Sequence, residues 1–378
     1  MRLLWLDAND LQEDKGRLDA NDLQQGKVNG EFTPKRVEIS PPRGALGLQC
    51  GNLGHDRARC RGGLAMSEDE GQDELVTEEM LWDRIPEVQG EERANTYYEL
   101  SARIFARGQY DEALALAETA RDIFSELGTS AQSKGLAQAY SAIGYNLNQL
   151  KRMDEAASAM SKAVELLRQN KSPIALELAC TLGEWWYSSK KYQDVVDTMN
   201  ECAQEHLVDG NELGAASDLH LIGCAYRELG QYQAAIDAFE EARGYYKDNK
   251  EVIHVARCEQ KIASCYNHLG NGESALEHAR IALDIFETAH DHRRQIISMF
   301  EYAKALELLE DYEEALETLD QVLTTATEEE PRDFDFIVDI ESAFAGILRK
   351  TDRDEEAVEI ERRLSSVRSI LADDEGTK

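Results

Sequence analysis

Four side chains with metal-ligand chemistry, His254, Cys258, Cys265 and His268, fall on one face of a helix when residues are placed at 100° intervals. At a rise of about 1.5 Å per residue they extend over roughly 21 Å, so one ion cannot use all four. Either half, His254 with Cys258 or Cys265 with His268, supplies two ligands, fewer than a closed tetrahedral site requires. The simpler reading makes the cysteines small packing residues and the histidines surface or groove groups. A second pattern overlaps the first: Arg257 and Lys261 are four apart, one helical turn, and bring two cations to one place. The triplet His290, Asp291, His292 reads as a solvated loop. Adjacent carboxylates, as in EEEPRDFD at 328–335, carry little information in a chain with 74 acidic residues. The sequence holds no nucleotide-binding glycine loop, nucleophile elbow or paired-histidine zinc motif. The expectation is a protein that is not an enzyme and takes no cofactor and no metal.

The elements that must position these groups announce themselves by repetition. The turn in GQYQAAIDAF recurs in RGQYDEALALAETA (107–120), LKRMDEAASAMSKA (150–163), KKYQDVVDTMNECA (190–203), GNGESALEHARIA (270–282), EDYEEALETLDQV (310–322) and TDRDEEAVEIERRL (351–364). A small residue follows each turn, at Ala113, Ala156, Val195, Ala235, Ala275, Ala315 and Ala357, with gaps of 43, 39, 40, 40, 40 and 42 residues. Apolar residues recur at helical spacing on both sides of each turn, so every unit is two antiparallel helices. Seven units at this period read as a solenoid in which each unit stacks on its neighbours. In the fourth copy Gly223 and Ala235 allow close approach of the two backbones, and Tyr226, Tyr232 and Phe239 fill the space between hairpins.

This pattern of small and aromatic residues resembles the tetratricopeptide repeat over roughly residues 93–370, in a longer subclass whose period is about 40. Gly272, Met153 and Asp354 depart from it, each standing where the turn aromatic belongs. The resemblance implies an all-α fold, a right-handed α-solenoid of about seven antiparallel helix pairs, with the first helix of each pair lining a concave groove. It assigns to that groove Asn95 and Tyr98; Ser141, Tyr145, Asn148 and Gln149; Glu184 and Tyr187; His220, Cys224 and Arg227; Arg257, Lys261, Ser264, Asn267 and His268; and Phe300, Lys304 and Glu307. The partner-binding set expected from it is Tyr145, Asn148, Tyr187, Arg227, Arg257, Lys261, Asn267, His268 and Lys304. Arg257 and Lys261 match the basic pair with which chaperone-binding members hold a C-terminal carboxylate, but Cys180, Glu184 and Leu221 occupy the other clamp positions. What survives is a looser expectation, a groove for an acidic or C-terminal peptide segment.

Charge narrows the partners further. Of 378 residues, 74 are acidic and 41 basic, a net charge of −33. The first 66 residues carry 10 basic and 9 acidic groups, leaving 31 and 65 for the rest, so the acidity belongs to the body. Such a field repels phosphate backbones and anionic bilayers, which excludes nucleic acid and membrane as expected partners and leaves a protein or peptide, with self-association possible. No run of about 18 apolar residues occurs, and seven scattered cysteines suit reduced thiols, so the expected location is cytoplasmic.

Residues 1–66 lack the helical pattern and read as a disordered leader, dispensable and not native if Met66 is the true start. Within it, CGNLGHDRARC (50–60) resembles the last three ligands of a zinc knuckle, with Gly47 in place of the first cysteine. Residues 67–92 form an acidic lead-in with a short capping helix, where Leu81 and Trp82 cap the first hairpin and Pro86 ends the helix. Residues 371–378 form an acidic tail. The function expected is a non-enzymatic protein- or peptide-binding scaffold. The alternatives are a peptide-sensing switch acting on a separate effector, and a structural subunit of a larger complex.

Overall fold

The computed structural model describes residues 77–128, 133–328 and 333–375. The leader with its CGNLGHDRARC stretch, the middle of EEEPRDFD and the last three residues lie outside them. Among the described residues there are fifteen helices and no strand. They are α1 (Glu78–Arg84), α2 (Gly90–Ala106), α3 (Tyr110–Leu127), α4 (Ser133–Gln149), α5 (Met153–Gln169), α6 (Ile174–Ser188), α7 (Tyr192–Val208) and α8 (Glu212–Glu228). There follow α9 (Tyr232–Asp248), α10 (Val252–His268), α11 (Gly272–Thr288), α12 (His292–Leu308), α13 (Tyr312–Glu328), α14 (Phe334–Lys350) and α15 (Asp354–Glu375). The fold is all-α and of the solenoid class, built of helix hairpins that begin α2/α3, α4/α5 and end at α14/α15. The chain divides into two compact units, one ending at Trp185 and the other beginning at Trp186.

One device makes every hairpin. The residue two beyond the end of the first helix has positive φ: Gly108, Lys151, Lys190, Gly230, Gly270, Glu310 and Asp352. That left-handed residue reverses the chain and lets two orphan carbonyls be answered. In the fourth hairpin the Gly230 N–H donates to the Arg227 carbonyl and the Gln231 N–H to the Tyr226 carbonyl, each at 2.9 Å. Lys151 and Arg152, Lys190 and Lys191, and Glu310 and Asp311 repeat this pair of bonds without glycine.

The small residue after each turn sets the packing register. All seven, from Ala113 to Ala357, are fully buried. Opposite them the glycines of the first helices have specific causes. A Cβ on Gly144 would lie 3.2 Å from the Ala156 carbonyl oxygen, a close backbone approach, whereas one on Gly223 would lie 2.7 Å from the Phe239 ring. Gly223 therefore seats a fully buried aromatic ring, worth about 1.5–3 kcal/mol by burial, rather than a neighbouring backbone. The departure at Gly272 has the same kind of reason: a Cβ there would be 3.0 Å from Leu308 and Leu309 side-chain carbons and 3.1 Å from the Ala305 carbonyl. The next hairpin occupies the place where four of the copies, at Tyr110, Tyr192, Tyr232 and Tyr312, carry a ring. At the last turn Asp354 replaces the ring and sits 3.4 Å from Arg349, which also makes two bonds of 2.8 and 2.6 Å to Glu361.

In the first unit the short α1 covers the opening hairpin, with Leu81 and Ile85 packed against Leu100, Ile104, Ala113 and Leu116. Leu81 is fully buried; Trp82, expected to share that role, is exposed, because the next residue on a helix is turned by about 100° from the buried one.

Candidate functional site

In the second unit the first helices of successive hairpins touch one another, α8 against α10, α10 against α12, and α12 against α14. This row carries seven of the nine expected residues, counting Tyr187 at the end of α6. Tyr145 and Asn148 belong to the first unit, where the Tyr145 ring meets Trp185 edge-on at 5.5 Å.

Arg227, at the end of α8, already has a carboxylate: its Nη2 donates to Glu228 Oε1 at 2.7 Å. Burial opposes its charge, but Cys224, Glu228 and Tyr187 outweigh burial and raise its pKa. Tyr187 meets Tyr192 edge-on at 5.5 Å, and its hydroxyl is pushed up, first by burial and then by Cys224. Lys304 on α12 is also engaged, with Nζ 3.6 Å from Glu301 Oε2 and 5.4 Å from the Phe300 ring centroid. Arg294 pairs with Asp291.

Arg257 and Lys261 differ. Both are half-buried, and among the described residues neither makes a hydrogen bond or an ion pair. Burial lowers both pKa values; the next cause is like charge, Arg294 for Arg257 and Arg227 for Lys261. The nearby carboxylate does not relieve them by contact. Glu301, 7% exposed, accepts 2.8 Å from Asn267 Nδ2, which also donates to the Glu301 carbonyl at 2.9 Å. Asn267 Oδ1 is buried and has no partner among the described residues. Ser264, next along the Arg257 and Lys261 stripe, is 5% exposed, and its carbonyl lies 2.8 Å from His268 Nδ1.

Other expected groove residues also make contacts within the fold. His268 stacks on Tyr232 at 4.7 Å and remains exposed. His220 and Cys224 are buried: the His220 ring lies 5.3 Å from Phe239, and its Nδ1 is 3.9 Å from Cys224 Sγ. Cys258 and Cys265 are fully buried, and burial pushes both thiols up, that of Cys265 to about 12. Their place is in the packing between helices. His254 stacks on Tyr246 at 4.7 Å.

Sequence reasoning overlooked the buried acids. Asp218, Glu259, Glu301 and Glu341, one in each of α8, α10, α12 and α14, are between 2% and 7% exposed. Glu259 receives Arg243 at 3.0 Å and His278 at 2.6 Å, and Asp218 receives His206 at 2.6 Å. Their recurrence at spacings of 41, 42 and 40 residues was the available signal, hidden in a chain crowded with acids.

Models of the tetratricopeptide repeat match residues 137–170, 219–249 and 255–328. No curated protein matches the sequence. Among solved structures, a signal-transduction ATPase with numerous domains and a tetratricopeptide repeat sensor from Pyrococcus horikoshii aligns over 78% of this chain with a TM-score of 0.55 and 16% identity. The chain spans 45% of the length of that protein. The apo form of RapI aligns over 79% of this chain and 89% of its own, with a TM-score of 0.56 and 17% identity. Both likenesses are of fold. No helix among the described residues is long and apolar enough to cross a membrane.

Proposed function

We propose that this chain, in which models of the tetratricopeptide repeat match residues 137–170, 219–249 and 255–328, is a non-catalytic scaffold whose α8, α10 and α12 side binds an extended acidic peptide segment or an acidic C-terminus of a protein partner. The observation that carries the reading is the pair Arg257 and Lys261, two half-buried cations with no partner in a unit where Arg227, Lys304 and Arg294 each have a carboxylate. Holding two like charges together away from water opposes folding, so an arrangement of this kind is relieved when an anion arrives. A charge-assisted hydrogen bond there contributes roughly 1.5–3 kcal/mol. Asn267 Oδ1 supplies what a peptide also needs, a buried acceptor for a backbone N–H. Tyr187 adds a flat edge at the α8 end.

The test is fluorescence anisotropy with labelled peptide libraries, rich in aspartate and glutamate or rich in lysine, each with a free or an amidated C-terminus. The acidic library should bind, and the double variant Arg257→Glu, Lys261→Glu should lose that binding while its helical circular dichroism stays unchanged. Equal binding by the double variant would overturn the reading. The free and amidated arms separate a side-chain anion from a terminal carboxylate.

A further inference from the structure

Within that peptide-binding reading, on which this inference rests, we infer that Arg257, Lys261 and Ser264 form a subsite for one doubly charged group, the phosphoryl group of a phosphorylated side chain, rather than for a single carboxylate.

Three features of α10 lead there. The first is charge. The neighbouring ion pairs Arg227–Glu228, Lys304–Glu301 and Arg294–Asp291 are each internally neutral, which leaves the Arg257 and Lys261 charges in excess. A carboxylate matches one of them and leaves the other half-buried and unmatched; a phosphoryl dianion matches both. The second is spacing. Residues four apart on a helix have Cβ atoms about 5–6 Å from each other, so a guanidinium and an ammonium on long stems can close on one tetrahedral centre. The third is the donor inventory. Ser264 continues the stripe one turn beyond Lys261, is 5% exposed, and its hydroxyl makes no hydrogen bond among the described residues. Guanidinium, ammonium and hydroxyl all donate, and a phosphoryl group presents three acceptor oxygens. The nearest carboxylate within the fold, Glu301, is held by Asn267 and Lys304. Arg257 and Lys261 also feel the adjacent cations, which raises the local potential where the dianion would sit.

The experiment uses the full chain and three degenerate nine-residue peptide libraries that differ only at the centre, which holds phosphoserine, serine or two adjacent aspartates. Inorganic phosphate, with acetate at matched ionic strength, serves as a fourth probe. The phosphoserine library should bind about tenfold or more tighter than either of the others, since one further charge-assisted hydrogen bond is worth at least that. Lys261→Met and Ser264→Ala should each erode the phosphoserine preference while binding of the diaspartate library falls less. The preference should also shrink as pH drops through about 6, where a phosphomonoester loses its second charge. Equal binding of the phosphoserine and diaspartate libraries overturns the phosphoryl assignment and leaves the acidic-peptide reading standing. If neither acidic library binds, both fall. Competition by inorganic phosphate alone, as strong as by the phosphopeptides, still supports a dianion subsite but identifies a free phosphate compound as its source.

Discussion

Lys261 shows how much a single side chain can reveal once its surroundings are known. From the spacing alone it forms a basic pair with Arg257, and that much was legible. What the spacing could not show is which cations have carboxylates, because in so acidic a chain every basic residue has acids nearby in sequence. Arg227, Lys304 and Arg294 turn out to be paired and Lys261 does not. Its pKa lies below 10.5 in the folded chain, because of burial and then Arg227. A lysine with a depressed folded pKa opposes folding wherever it is charged: the cost is full below the folded pKa and disappears as pH rises to the unfolded value. Lys261→Met should therefore be more stable than the parent at neutral pH, by roughly 2–4 °C in Tm for each kcal/mol removed. The advantage should decline as pH approaches 10.5. Thermal unfolding of the two proteins across that range decides the matter, and a variant less stable at neutral pH would show that Lys261 has a partner after all.

At the scale of the element, the helix pairs and their register were legible, because a small residue every 40 or so positions has one packing meaning. Seven fully buried residues stand where the spacing put them. The reason for each glycine was not legible, since a missing side chain looks the same whether it admits a backbone, as at Gly144, a ring, as at Gly223, or the next hairpin, as at Gly272. The turns add a property that sequence patterns obscure. The seven equivalent left-handed positions carry glycine at Gly108, Gly230 and Gly270, but lysine at Lys151 and Lys190, glutamate at Glu310 and aspartate at Asp352. A residue with a Cβ at positive φ costs about 1–2 kcal/mol, so the non-glycine turns store strain that the packing of their helices overrides. Glu310→Gly should raise stability by about 1 kcal/mol, less the greater entropy of glycine in the unfolded chain. Glu310 makes no side-chain ion pair within contact distance among the described residues, and the longer-range attraction to Lys350 that the variant loses reduces the gain. Denaturant titration gives the difference directly; no gain would mean that the turn relaxes the strain locally.

For the molecule as a whole, the proposed ligand and the protein have the same sign of charge, and this separates two ranges of electrostatic action. The net charge of −33 acts at long distance and repels an acidic peptide, while the Arg257 and Lys261 pair acts only at contact. Salt screens the first more than the second, because the Debye length falls from about 30 Å at 0.01 M to about 10 Å at 0.1 M while half-buried charges remain in reach of their ligand. Association of an acidic probe should therefore quicken as salt rises over that interval, the reverse of steering by a basic protein. The same screening should raise Tm by weakening repulsion among the acids of the body. Stopped-flow association with the labelled acidic library, beside thermal unfolding in the same buffers, measures both. An association rate that falls with salt would mean that positive potential reaches well beyond the two side chains, so that the partner is drawn in by the whole α8, α10 and α12 row rather than selected at contact.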